Sequence, residues 1–306
     1  MRQGLRDAWR KNVPELVAAL TRGLPEFVMS RAPRELEGVP VFCYHAVAAG
    51  VFESHLRFLR DNGYQTLTAD ELLTTLRPAA VDDADRRPIG RRIVVTFDDG
   101  LVNLHDTVFP LLQQYSARVV AFIAPAFHAS GRSRDGGDAS NRLLTCSWEQ
   151  IEAMHASGLV DFQSHTLEHR LVYDWPRGAP LSGTSSAACE RLRGRVLSIE
   201  DDLARARELI ERRLGKQVRH LAFPQYDGTP DAVRIGRACG YEAFYWGTRP
   251  RKALNKRGDE LSCIVRLSGE FLPRLPGRGR RPLRTVLQER YLTNARRWRQ
   301  AMARRP

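Results

Sequence analysis

The sequence predicts an α/β fold of repeated strand–helix units, with a parallel (β/α) barrel over its central part. Two observations predict it. Short apolar runs rich in Val, Ile and Phe alternate with segments whose apolar residues recur at helical spacing. The body between the two terminal segments is about 230 residues, a length that suits such a barrel. A doubly wound open sheet fits the same alternation and is the competing architecture. In both, ligands bind at the carboxyl ends of the strands, so chemistry is sought there.

The elements follow in order. VFCYH (41–45) reads as the first strand, and FESHLRFLRDNG as a helix with Phe52, Leu56 and Leu59 on one face and Gly63 at its end. YQTL is a short extended piece. Thr68 and Glu71 then form a capping box that opens the next helix. IVVTF (93–97) is the clearest strand. A helix follows, and then VVAFIA (119–124). After a Gly/Ser/Asp-rich loop over 128–146, Ser147 and Gln150 cap a helix that begins at Trp148 and stops at Gly158. LVDFQSH (159–165) is a strand, and roughly 173–198 is a Gly-, Pro- and Ser-rich insertion. Ser198, Asp201, Asp202 and Gly215 delimit a helix over SIEDDLARARELIERRLG. RHLAF (219–223), a helix near 230–239, EAFYWG (242–247) and SCIVRLS (262–268) complete the body.

Composition narrows the class. The chain has 306 residues, 42% of them hydrophobic and 27% charged, which is ordinary for a globular protein. No apolar run reaches the roughly 18 residues of a membrane-spanning helix. The N-terminus lacks the apolar core and cleavage site of a signal peptide, so a cytoplasmic location is expected. Five widely spaced cysteines without a CxxC read as buried, inert thiols. The net charge of +13 is uneven: from Arg274 onward eleven arginines face one glutamate. That gives three expected regions: an amphipathic N-terminal helical extension (1–39), the barrel (40–272) and an Arg-rich C-terminal tail (273–306). A basic tail suits an anionic partner or is simply solvated. A nucleic-acid binder is disfavoured, because the body lacks an aromatic-interleaved basic surface.

The strand ends carry the chemistry. Asp98, Asp99 and Gly100 follow IVVTF. His165 and His169, four residues apart in SHTLEH, lie on one face if that turn is helical. Two imidazoles are half of a zinc site, and a carboxylate from another strand end would complete a His₂Asp set with open positions for water and substrate. An isolated Asp-Asp pair also suits helix capping, but capping needs only one acid and no histidines. With two aspartates, one binds the metal and the other stays free as a general base. A divalent ion lowers the pKa of bound water to about 7, so the reaction class is metal-assisted hydrolysis.

At these residues the sequence resembles the NodB-homology polysaccharide deacetylases, carbohydrate esterase family four. TFDDG (96–100) reproduces the family's first motif, and SHTLEH (164–169) fits its second, H-S/T-x-x-H. YHAV and FESHLRFLRDNGYQTLTADEL, together with the Trp148 helix, are similar to the poly-N-acetylglucosamine deacetylase branch. The resemblance covers roughly residues 40–270. It implies a distorted (β/α)7 barrel that removes an N-acyl group from an amino sugar. By the same resemblance Asp98 is the base, while Asp99, His165 and His169 hold one divalent ion, with Zn²⁺ first. AFPQY (222–226) stands where the third motif, R-x-P-F/Y, is expected. Pro224 matches, Ala222 replaces the arginine that orients the base, and Tyr226 is a candidate for lining the groove. The closing Leu-x-His motif reads IVRLSG, and no histidine follows His220. Arg266, His45 and His105 are the groups left near that role, with His45 and Arg266 counted among substrate-binding candidates.

The expected function is N-deacetylation of an amino sugar in a cell-surface glycan or its lipid-linked precursor. A deformylase or other deacylase, or a catalytically weak sugar-binding relative, are the rivals. The terminal segments add an expectation about place. Leu16, Leu20, Leu24, Phe27 and Val28 recur near helical spacing after Arg6, Trp9, Arg10 and Lys11. The tail sets Leu283, Val286, Leu287, Tyr291, Leu292 and Trp298 among arginines. Both suit either packing on the barrel or a helix lying on an anionic membrane surface; the second makes a peripheral inner-membrane enzyme facing the cytoplasm the expectation.

Overall fold

The computed structural model describes residues 17–18, 20–21, 23–33, 35–78, 89–128, 144–174, 179–180, 190–192 and 195–293. Its centre is a parallel sheet of strands β1 (Val41–Tyr44), β3 (Arg92–Asp98), β4 (Val119–Ile123), β5 (Val160–Ser164), β6 (His220–Ala222) and β7 (Ala243–Trp246), each paired with the next. A short strand β2 (Gln65–Thr66) pairs the start of β3. One segment closes the ring. Its first half, β8 (Ile264–Val265), pairs β7 through Tyr245↔Ile264 and Trp246↔Val265. Its second half, β9 (Leu267–Ser268), pairs β1 through Phe42↔Leu267 and Cys43↔Ser268. Arg266 lies between them, so residues 264–268 are a seventh stave and the sheet is a distorted (β/α)7 barrel rather than an open one.

Period-2 alternation along these strands divides the core in two. Val41, Val94, Val120, Phe122, Ala222, Ala243, Tyr245 and Ile264 fill the barrel. Phe42, Val95, Phe97, Ala121, Ile123, Phe162, Leu221 and Phe244 face outward and are covered by helices. Those helices are α2 (Ala49–Asp61), α4 (Phe109–Tyr115, entered through a π-turn at Leu104–Val108), α5 (Trp148–Ala156), α6 (Ile199–Leu214) and α7 (Pro230–Ala238), whereas α3 (Ala69–Leu76) packs Leu72, Leu73 and Leu76 with the barrel-filling residues. The expected caps form. Thr68 and Ser147 each accept from the third helical N–H while Glu71 and Gln150 reach back. Ser198 caps α6 and Gly215 ends it at φ 62°. Most of the Gly/Ser/Asp-rich loop and of the 173–198 insertion lies outside the described residues, as does Cys189. The other four cysteines are free thiols.

Where they are described, the terminal segments pack on the barrel. A single turn, α1 (Glu26–Met29), buries Phe27 and Val28 against the barrel, Phe27 edge-on to Phe42 at 6.3 Å, and Leu24 packs beside them. These residues face the protein and do not form a membrane stripe. In the tail, α8 (Leu283–Leu287) buries Val286, with Leu283 and Leu287 packed on the same core. Several of the arginines there are likewise engaged. Arg274 donates to the carbonyls of Val28 (2.9 Å), Ser30 (2.8 Å) and Arg281 (2.7 Å). Arg280 donates to Phe27, Ser30 and Arg31, and Arg290 pairs with Glu270 at 2.9 Å. A helix end and a turn leave carbonyls unsatisfied, and guanidinium groups satisfy several at once. Residues 274–290 therefore fasten the N-terminal segment to the barrel and are not a solvated extension. Leu16, Trp9 and Trp298, and the side chains of Tyr291 and Leu292, lie outside the described residues.

Candidate active site

The Asp-Asp-Gly sequence is a turn with one carboxylate on each side of it. Asp98 is the last residue of β3, and its side chain points into the barrel, 2% exposed. Asp99 and Gly100 then take left-handed backbone, at φ 74° and 62°. A non-glycine residue held there costs about 1–3 kcal/mol, a cost usually met at functional sites. The third position must be glycine for a second reason. A Cβ on Gly100 would sit 2.6 Å from Cε1 of the buried His128 imidazole. His128 is fixed in turn by Nδ1, which donates to the Cys146 carbonyl at 2.8 Å, and burial lowers its pKa to about 4. The reversal swings the Asp99 carboxylate over the mouth of the barrel.

The two histidines come from the end of β5, and the turn that carries them is not helical. Thr166 and His169 have φ of 64° and 54°. Three hydrogen bonds shape this loop: Arg170 N–H to Thr166 Oγ1 (2.7 Å), Leu167 N–H to Asp202 Oδ1 (2.9 Å) and Ala126 N–H to the Leu167 carbonyl (3.1 Å). The imidazoles still meet, with ring centroids 5.0 Å apart, but through a tight loop and not through the face of a helix.

Ligand atoms of Asp99, His165 and His169 lie within 4.8 Å of one another. Asp99 Oδ1 is 3.4 Å from His169 Nε2 and 3.8 Å from His165 Nε2. His165 donates from Nδ1 to the Ala222 carbonyl at 2.8 Å, which turns the lone pair of Nε2 toward Asp99. Burial pushes the His165 pKa down against the pull of Asp98 and Asp99, so the imidazole is neutral, the form that binds a metal. Two neutral nitrogens and one carboxylate oxygen converging in a buried pocket fit a divalent ion with open coordination positions. Asp99, His165 and His169 are the group with this geometry among the described residues.

Asp98 stands beside that group, its Oδ2 3.9 Å from His165 Nε2. Its Oδ1 accepts a 2.6 Å hydrogen bond from Nη1 of Arg266, and the Cys43 thiol lies 3.4 Å from Oδ2. Burial disfavours the carboxylate, but the Arg266 guanidinium outweighs it and holds the Asp98 pKa well below the usual range. Arg266 is itself 2% exposed and lies inside the barrel, not on a substrate-facing wall. Pro224 is buried at the start of a 3₁₀ turn, Pro224–Tyr226, in which Gln225 and Tyr226 take φ of 58° and 65°. The Tyr226 hydroxyl lies 3.4 Å from the ring nitrogens of His45, and both side chains are half-buried at the mouth. His105 is elsewhere, bonded to Asp106 at 2.7 Å and to Gln150 of the α5 capping box at 3.2 Å.

Two residues that shape the site escaped the sequence reading. Asp202 looks like one more acid in the first turn of α6, yet it is buried and holds the His165–His169 loop through Leu167. The Tyr241 hydroxyl donates to the Leu203 carbonyl (3.0 Å) and bonds the Ser164 hydroxyl (2.9 Å), tying the end of β5 to α6. A buried tyrosine must find a polar partner, but its sequence gives no sign of which one.

The sequence pattern of the polysaccharide deacetylases matches residues 85–244. Two curated relatives are poly-β-1,6-N-acetyl-D-glucosamine N-deacetylases. That of Escherichia coli strain K12 is 26% identical over 129 residues, 40% of this chain and 18% of that protein. That of Staphylococcus epidermidis is 21% identical over 215 residues, 70% of this chain and 65% of that one. This chain thus matches less than two thirds of either relative's length. Among solved structures, IcaB from Ammonifex degensii superposes with a TM-score of 0.58 at 25% identity, covering 78% of this chain and 96% of that one. With more than half of its length matched, and with TFDDG and SHTLEH at the strand ends, the chain belongs to the polysaccharide deacetylase family.

Proposed function

We propose that this protein hydrolyses N-acetyl groups from the amino sugars of a poly-N-acetylglucosamine-type glycan. The observation that carries the reading is the meeting of Asp99, His165 and His169 beside an ionised, buried Asp98. A binding module has no use for an ionised carboxylate held beside that group. The names of the relatives support the choice of sugar. A divalent ion held by the three residues, zinc by preference for this donor set, would polarise the amide carbonyl and make water acidic enough to deprotonate near neutral pH. Asp98 takes a proton from the attacking water through Oδ2, the oxygen nearest His165. The carbon–nitrogen bond then breaks, and the nitrogen leaves as an amine once it is protonated. His45, at the end of β1 beside the Tyr226 hydroxyl, is the imidazole available at the mouth to give that proton. Its role fills the gap left by the absence of any histidine after His220.

The test is acetate release from β-1,6-linked N-acetylglucosamine oligomers, followed with the free amine. Equal amounts of acetate and amine are expected. Formate release from N-formyl oligomers without acetate from the acetyl series would favour the deformylase instead. Binding without hydrolysis of either would favour the sugar-binding reading.

A lipid-linked form of the glycan is the finer proposal. Packing has taken Leu24, Phe27, Val28 and Val286 out of any membrane face, but Val17, Leu20 (77% exposed) and Met29 remain on the surface of the N-terminal segment. Gly23, just beyond Leu20, seats against the Arg249 carbonyl, in the loop that follows β7 on the catalytic side. Arg31, Arg278 and Arg284 are exposed with no carboxylate paired to them among the described residues. Cations near an anionic leaflet contribute about 1 kcal/mol each. The full chain should float with anionic vesicles at low salt and release at high salt. Leu20→Glu and a chain ending at Thr293 should each float less. If the full chain stays at the bottom of the gradient at low salt, the substrate is a soluble saccharide.

A further inference from the structure

The arginine that the family pattern sets in the third motif is absent here: position 222 is an alanine buried in the barrel, and its carbonyl serves His165. A guanidinium nevertheless reaches the Asp98 carboxylate, from the far side of the ring. Arg266 sits at the midpoint of the closing stave, in the inward phase set by Ile264. Its Nε donates to the Trp246 carbonyl at 3.2 Å and its Nη1 to Asp98 Oδ1 at 2.6 Å, with Thr96 Oγ1 at 3.5 Å. The guanidinium lies 5.5 Å from the Phe122 ring centre and 5.6 Å from that of Tyr226. Contacts from β3, β4, β7 and the 224–226 turn thus fix one planar group.

We propose that Arg266 is the positioning residue for Asp98, supplied from the seventh stave in place of a third-motif arginine; this rests on Asp98 being the base. The bond occupies Oδ1 and sets the carboxylate plane, so that Oδ2 is the oxygen turned toward His165 and the metal-binding group. A carboxylate with neither oxygen anchored would rotate about χ2, which is a soft torsion. The fork of an arginine holds Trp246 and Asp98 at once, which a lysine ammonium on its flexible stem does not reproduce. Burial on both sides means the two charges need each other: an unpaired partner left in the barrel is strongly destabilising. The pair therefore also locks the closing stave to β3 across the barrel.

The test uses the full chain loaded with zinc, and two variants. Arg266→Ala should keep its metal while kcat falls about 100-fold, the scale of a misplaced reacting group, with KM little changed. Added guanidinium ion should restore at least a tenth of the lost rate to Arg266→Ala and none to Asp98→Asn. Arg266→Lys keeps a positive charge, so it decides the matter if Arg266→Ala does not fold. Its crystal structure should show the Asp98 carboxylate turned away from His165, and its kcat should fall by tenfold or more. An Arg266→Lys protein with an unmoved carboxylate and wild-type kcat overturns the proposal. If Asp98→Asn is inactive while both arginine variants turn over normally, only the positioning role is lost. Wild-type turnover in Asp98→Asn removes the base itself.

Discussion

Asp98→Asn should fold, bind its divalent ion, and turn over about 10²–10⁴-fold more slowly than the wild type, the range for loss of a general base. The amide matches the carboxylate in shape, so Arg266 keeps an oxygen to bond at Oδ1. What changes is the group facing His165: a neutral amide nitrogen or oxygen cannot accept the proton of the attacking water. The substitution also leaves the Arg266 charge buried without a counter-ion. A lower Tm is therefore part of the expected result, because breaking one side of a buried pair is destabilising by roughly 3–5 kcal/mol at the upper end. Circular dichroism, metal content and kcat measured on the same preparation separate the two effects. A folded, metal-loaded Asp98→Asn protein with wild-type kcat would exclude Asp98 from the chemistry.

The parts of this site that were legible in the sequence are local ones. TFDDG and SHTLEH each carry their functional atoms within a few residues, and the rule that ligands sit at strand ends brings them together without coordinates. The α/β class was legible from the alternation of strands and helices, and the length of the body favoured a barrel over the open sheet that fits the same alternation. The bond that closes the barrel was not legible, because one five-residue segment pairs different neighbours with its two halves. Periodicity misled at the histidines. A spacing of four fits a helix, but the left-handed residues Thr166 and His169 make the turn, and a threonine and a histidine do not advertise that backbone as glycine does. The arginines are the clearest lesson. A charge within IVRLS could only be buried if something opposite paired with it, yet its partner lies 168 positions earlier in the chain. In the tail, charge counting suggested an anionic ligand. For Arg274 and Arg280 the acceptors are backbone carbonyls of residues 27–31, and carbonyls are invisible to any count of side-chain charge.

Loss of either histidine should remove metal and activity together. His165 and His169 supply two of the three donors in the group, so each variant leaves only Asp99 and one imidazole for the ion. Loss of an outer hydrogen-bond partner of a metal ligand costs about 10–100-fold in affinity, and loss of the ligand itself should exceed that. His165→Ala should be the more damaging of the two. That imidazole is fully buried, is oriented by the Ala222 carbonyl, and also lies 3.9 Å from Asp98, whereas His169 stands nearer the solvent. Elemental analysis of the purified proteins, before and after chelation, measures the effect directly. The wild type should hold one ion, lose turnover with a chelator, and regain it with Zn²⁺. Both variants should lack the ion at the same free-metal concentration, and added zinc should not revive His165→Ala. Stoichiometric metal in both variants would mean that the ion sits elsewhere, and the Asp99 turn and the His165–His169 loop would then need another explanation for the left-handed backbone they share.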